Sequence, residues 1–315
     1  MSIIAMSGGV GGAKLVSGLA QNLAGDELLV VANTADDFDH LGLRICPDLD
    51  SVMYALAGIN DQQRGWGLAD ESWQAMRALQ RLGGANWFQL GDQDLATHIL
   101  RSDQLRNGVS LTAVTESLCS ALGIACRLIP MTEDPVATVV DTEEGKLAFQ
   151  EYFVKRQCEP AVKGFEFTGI ELATANPEWL EAMRSGQAKA LIICPSNPYV
   201  SVDPMLNLPG VRTAIAGLSC PVVAVSPIIA GAAIKGPAAK MMRELGCPNS
   251  ALAVAEHYKG LVTDFVIDNA DRKLVKDIEA LGMRVHCCDS LMRNAEDRSR
   301  LAAEVLAMCE TAVAA

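Results

Sequence analysis

Four glycines in five residues, Gly8, Gly9, Gly11 and Gly12, stand between the short apolar run "SIIAM" and Lys14. Glycine lets a ligand approach the backbone closely. A helix that starts at such a turn aims its first N–H groups outward with a partial positive charge. That is the chemistry of phosphate or diphosphate binding. The spacing fits neither of the two common phosphate loops. Ala13 separates Gly12 from the lysine, so G-x-x-x-x-G-K-[ST] fails, and Lys14 stands where G-x-G-x-x-G requires its third glycine.

The stretch "NTADDFDHLGLRICPDLDS" places Asp36, Asp37, Asp39, Asp48 and Asp50 within fifteen residues. Carboxylates repel a phosphate unless a divalent cation stands between them, so this density opposite a diphosphate points to a magnesium or calcium site. A carboxylate here could also take a proton from an attacking hydroxyl. Asp48, after Pro47, reads as a helix N-cap. Asp50 is expected on an exposed loop end facing the ligand crevice. "LGDQDLATHILRS" adds Asp92, Asp94, His98 and Arg101; Asp92 or Asp94 reads as a helix cap and His98 as a satisfied, semi-buried side chain. "PSNP" presents Ser196 and Asn197 between two prolines, and "SPIIAG" presents Ser226. Both loops offer donors for a base, ribose or phosphate, and "KGPAAKMM" adds Lys235 and Lys240.

These loops need elements to hold them. "SIIAM" and "ELLVVAN" read as strands, with a helix between them carried by Leu15, Leu19 and Leu23. Strand, glycine turn, helix and strand open a doubly wound sheet. Residues 48–125 read as a helical insertion and 126–168 as a β-rich segment with a hairpin turn at "TEEGK". The buried-strand pattern resumes at "AKALIICPSNP", "PVVAVSPIIAG", "LVTDFVID" and "GMRVHCC". The expected fold is α/β over residues 1–315: one Rossmann-like, mostly parallel sheet with a helical cap. In such sheets ligands bind at the carboxyl ends of the strands, where the polar loops fall.

Composition narrows the function classes. The 315-residue chain is 50% hydrophobic and 20% charged, with a formal net charge of -12. No Lys/Arg cluster marks a nucleic-acid surface. Ten cysteines without a C-x-x-C pair fit small buried hydrophobes in a reducing cytoplasm. Strand-like residues start at Ser2 without a basic n-region, so no signal peptide is expected. The uncharged stretch from Thr213 to Ile234 is long enough for a membrane span, but Pro221 and Pro227 bracket "VVAVS" as a buried strand.

The ordered set "SGGVGGAK", "NTADD", "CPDLDSVMYALAG", "GWG", "LGDQDLATHILR", "PSNP" and "SPIIAG" followed by "KGPAAKMM" resembles the 2-phospho-L-lactate transferase family, over about residues 2–268. The resemblance implies a cytoplasmic phosphotransferase of coenzyme F(420) biosynthesis that requires magnesium (Mg2+) and forms a homodimer. Its acceptor would be the deazaflavin Fo. Its donor would be guanosine diphosphate carrying a lactyl, enolpyruvyl or similar three-carbon acid on the terminal phosphate. The terminal ribityl hydroxyl would attack that phosphorus and GMP would leave. In that scheme Gly8, Gly9, Gly11, Gly12 and Lys14 hold the diphosphate. Ser196, Asn197 and Ser226 shape the guanosine side, and Asp36, Asp37 and Asp50 bind the metal or orient the hydroxyl. Asp50 and Gln89 meet the deazaflavin, Gln89 standing where some family members carry a basic residue. Phosphoryl transfer by positioning and charge neutralisation suits a site of amides, carboxylates and a cation.

Two other classes compete. A related family with a glycine-rich start binds nucleotide sugars as a non-catalytic regulator, and it would not need the paired aspartate segments. An NAD(P)-dependent oxidoreductase would need the missing third glycine.

Overall fold

The computed structural model describes residues 2–233 and 238–313. Seven strands form its central sheet: β1 (Ser2–Ser7), β2 (Leu28–Ala32), β3 (Arg127–Pro130), β4 (Ala188–Ile193), β5 (Val222–Val225), β6 (Asp264–Asp268) and β7 (Arg284–Cys288). Their order is β7-β6-β5-β4-β1-β2-β3, and every neighbouring pair is parallel. The chain runs outward from β1 through β2 to β3, then returns to the other side of β1 for β4. The order therefore reverses between β1 and β4, which is where a doubly wound sheet opens its ligand crevice.

Successive residues of a strand face opposite sides of the sheet. Ile3, Ala5, Val30 and Ile192 pack with Leu15, Leu19, Leu301 and Val305 on one side. Ile4, Met6, Val31 and Leu191 pack with Trp179, Met205 and Tyr258 on the other. Burial on both faces explains why these strands read as continuous apolar runs.

Helix α1 (Gly9–Asn22) follows β1 directly. A Cβ on its Gly18 would lie 2.1 Å from the carbonyl oxygen of Arg298, so this glycine lets α1 touch the C-terminal helix Ala295–Val313. The stretch expected as one helical insertion divides in two. Helices α2 (Pro47–Ala57) and α5 (Leu111–Ala121) lend Leu49, Val52, Val114 and Leu118 to the same core as α1. Between them, α3 (Gln74–Arg81) and α4 (Asp92–Arg106) belong to a cap with its own cluster around Ile45, Met76 and Leu90. Asp92 accepts from the N–H groups of Gln74 and Ala75 at the start of α3, while Glu71 accepts from those of Gln93 and Asp94 at the start of α4. The two helix starts are thus capped by each other's neighbours.

The β-rich segment is also narrower than the sequence suggests. Arg127–Pro130 is the edge strand β3 of the main sheet. The separate antiparallel sheet contains Ala137–Thr142, Gly145–Ala148 and Val162–Thr168, with the hairpin turn at the expected place. Glu151–Lys155, within the segment read as β-rich, is helical. Among the described residues no helix is long and apolar enough to cross a membrane.

Candidate functional site

A cavity of about 460 Å³ lies against the loops that follow β1 and β4. The glycine loop forms part of its wall, facing Pro195, Ser196 and Asn197. The two loops are tightly joined. The Gly8 N–H donates to Ser196 Oγ at 3.1 Å. A Cβ on Gly11 would stand 2.3 Å from the Pro195 carbonyl oxygen, so only glycine allows this approach.

Gly9 takes a left-handed φ of +63° as α1 begins, and its N–H donates to Asp48 Oδ1 at 2.7 Å. The other oxygen of Asp48 accepts from Asn33 Nδ2 at 3.0 Å. Cys46 is the N-cap of α2, and Asp48, expected there, is instead the second residue of the helix. Its carboxylate reaches across to fix the glycine loop. The Gly8 and Gly9 amides are therefore used internally. Val10 and Gly11 follow in the first turn of α1 and line the cavity, and N–H groups of a helix's first turn have no partner within the helix.

The aspartates expected to act together take different partners. Asp36 is buried in the cavity wall with Oδ1 unpartnered, and burial raises its carboxyl well above the usual range, with the Asp48 charge raising it further. Burial likewise raises Asp48 to about 6. Asp37 is outside the cavity wall, 3.6 Å from the Arg44 guanidinium, and burial pushes it up to about 7. Asp50 is a correction. It is buried rather than exposed, it does not line the cavity, and both its oxygens accept from Arg101, Oδ2 at 3.0 Å. Arg101 also meets His98 Nδ1 at 3.3 Å, and His98 Nε2 lies 3.2 Å from Asp94, which accepts from the Tyr54 hydroxyl. This buried network joins α2 to α4, and His98, expected to be semi-buried, is fully buried within it.

A magnesium ion takes one or two carboxylates and completes its shell with water and substrate phosphate oxygens. Among the described residues no group of three His, Cys, Asp or Glu side chains could hold a metal alone. Asp36, with its unpartnered buried oxygen, and Asp48 fit the smaller demand of a cation shared with a phosphate substrate.

Other expected residues take particular places. Lys14 lines the cavity and donates to the Met292 carbonyl at 2.9 Å. Asn197 Oδ1 accepts from the Tyr199 N–H, and Ser226 Oγ folds back onto Ile228, although both residues line the wall. Gln89 lines it too, and its Nε2 donates to the Asn86 carbonyl. Lys240 lies outside the wall, paired with Glu244 and bonded to the Pro160 carbonyl. Lys235 lies outside the described residues.

Residue spacing did not single out the rest of the wall. Trp66 and Phe88 from the cap and Phe149 and Phe153 from the β-rich segment give it an aromatic side. Phe149 and Phe153 stack with ring centroids 5.6 Å apart, while Phe88 is braced edge-on by Phe38 at 4.9 Å. Trp66 remains 45% exposed. With aromatics at only 5% of the chain, rings in glycine-flanked loops were an available clue. The cavity thus joins backbone donors and two carboxylates to flat apolar surfaces.

The sequence model described as 2-phospho-L-lactate transferase CofD matches residues 3–307. A phosphoenolpyruvate transferase of Streptomyces griseus is 39% identical, with 98% of this chain and 99% of that protein covered. A 2-phospho-L-lactate transferase of Methanosarcina barkeri is also 39% identical, with 99% of each covered. Among solved structures, a member of the upf0052 family from Bacillus halodurans superposes with a TM-score of 0.62 at 16% identity, covering 97% of this chain and 98% of that one, a likeness of fold. With the match spanning nearly the whole chain, the protein belongs to the 2-phospho-L-lactate transferase family.

Proposed function

We propose that this enzyme transfers a three-carbon acid phosphate from its guanosine diphosphate adduct to the terminal ribityl hydroxyl of the deazaflavin Fo, releasing GMP. The observation that carries this reading is the two-sided cavity. Amides of Val10 and Gly11 stand at the sheet's switch point, and Trp66, Phe88, Phe149 and Phe153 supply flat walls for a planar acceptor.

In this reading the donor diphosphate lies on the first turn of α1, with Lys14 beside it. Asn197 and Ser226 border the guanosine. Asp36 and Asp48 would hold magnesium, which neutralises diphosphate charge when bound. The acceptor hydroxyl attacks the terminal phosphorus, the new P–O bond forms, and the bond to the GMP phosphate oxygen breaks. The hydroxyl proton passes to a carboxylate of the Asp36–Asp48 pair. No covalent enzyme intermediate is needed, since positioning and charge neutralisation are the main demands of phosphoryl transfer.

Product analysis by mass spectrometry tests this. The protein is given Fo, magnesium and the lactyl or enolpyruvyl guanylyl donor in turn. A deazaflavin phosphodiester and equimolar GMP are expected from at least one donor, and neither product from any donor would overturn the reading.

A further inference from the structure

Only two cationic side chains line the cavity among the described residues, Lys14 and Arg64. Lys14 follows the glycine loop. Arg64 comes from the cap, on a loop built to hold it still. Asp61 Oδ1 accepts from the N–H groups of Gln63 and Arg64, and the Asp61 N–H donates to the Gly67 carbonyl at 3.0 Å. Gly65 and Gly67 both take left-handed φ values, which closes the turn.

The Arg64 guanidinium is fixed on several sides. Its Nε lies 2.9 Å from Asp61 Oδ2, and its Nη2 donates to the Leu68 carbonyl at 2.6 Å. Its Cζ sits 5.2 Å from the ring centre of Trp66 and 4.9 Å from that of Trp73. Nη1 makes no hydrogen bond to a described residue. An arginine stacked on rings and held by one edge keeps its remaining N–H groups in a fixed plane, suited to a planar anion.

The names of the relatives carry the chemistry further. Phosphoenolpyruvate and 2-phospho-L-lactate differ in the bonding of their carbon skeleton but share a carboxylate beside the phosphate-bearing carbon. A group that recognises this carboxylate serves either acid. Resting on the transferase reading above, we propose that Arg64 is the residue that binds the carboxylate of the donor's three-carbon acid, and so selects donors by that anion.

Calorimetry on the whole protein, with magnesium, measures the affinity of GDP, of the lactyl guanylyl donor and of the same donor with its carboxylate converted to a carboxamide. The protein is compared with Arg64→Ala and Arg64→Lys. In the unaltered protein the carboxamide should bind about 10- to 100-fold more weakly than the carboxylate, as for loss of a charged hydrogen bond. Arg64→Ala should remove that difference and leave GDP affinity unchanged, while Arg64→Lys should keep part of it. If the carboxylate preference survives in both variants, or if calorimetry with Fo shows the loss to fall on Fo affinity instead, the assignment is overturned. These outcomes do not depend on turnover, so failure of the transferase reading, seen as absence of product with the unaltered protein, stays separate.

Discussion

The backbone N–H of Gly9 donates to the carboxylate of Asp48 across 2.7 Å, although the two residues are 39 apart in sequence. This contact joins the start of α1 to the start of α2 and sets which amides of the glycine loop remain for a ligand. Asp48→Ala would leave the Gly9 N–H and the Asn33 amide without their acceptor. A destabilisation of about 1–3 kcal/mol is expected, with a marked loss of GDP affinity. Urea denaturation and calorimetry measure the two. Unchanged GDP affinity would show that the loop holds its shape without Asp48.

Gly11→Ala would drive a methyl group into the Pro195 carbonyl, which is backbone and cannot swing aside. The loops after β1 and β4 would have to separate. GDP affinity is expected to fall at least about tenfold, since the variant disturbs the amides at the helix start. Equal affinity for the variant and the unaltered protein would place the diphosphate elsewhere.

Asp50 and Arg101 make a stability prediction. Asp50→Asn would leave the Arg101 charge buried and poorly compensated, at a cost of about 3–5 kcal/mol. A fall in Tm of roughly 5–10 °C is expected. Loss of turnover with an unchanged Tm would return Asp50 to the reacting centre.

Stability should also depend on pH. Asp37 moves from an ordinary 3.8 to about 7 on folding. The folded protein therefore holds this proton more tightly than the unfolded chain. Its contribution is complete below about pH 4 and is lost as pH rises towards about 7, at up to about 1.4 kcal/mol per pH unit. Asp48, raised to about 6, acts in the same direction. Asp37→Asn, which cannot ionise, should flatten the decline in urea midpoint between about pH 4.5 and about pH 7. An equally steep decline in the variant would show that Asp37 does not contribute.

The sheet was legible because strands buried on both faces leave apolar runs, as in "LVVA" and "LIIC", and glycine and proline punctuate their ends. The glycine turn between β1 and α1 was legible for the same local reason. The aspartates were not. Asp48 and Asp50 are two apart on one helix, so their side chains diverge by about 200°. One meets Gly9 and the other Arg101, 51 residues away in the chain. Carboxylates close in sequence therefore take different partners in the fold. The aromatic wall was hidden because its rings come from two separate segments, and the cap places Arg64 through a turn whose partners are mostly backbone.

A structure of the protein with GDP and magnesium tests the central claim most directly. The account predicts diphosphate oxygens within hydrogen-bond distance of the Val10 and Gly11 N–H groups, in the cavity that also holds Asp36. A nucleotide bound away from the first turn of α1 would contradict it.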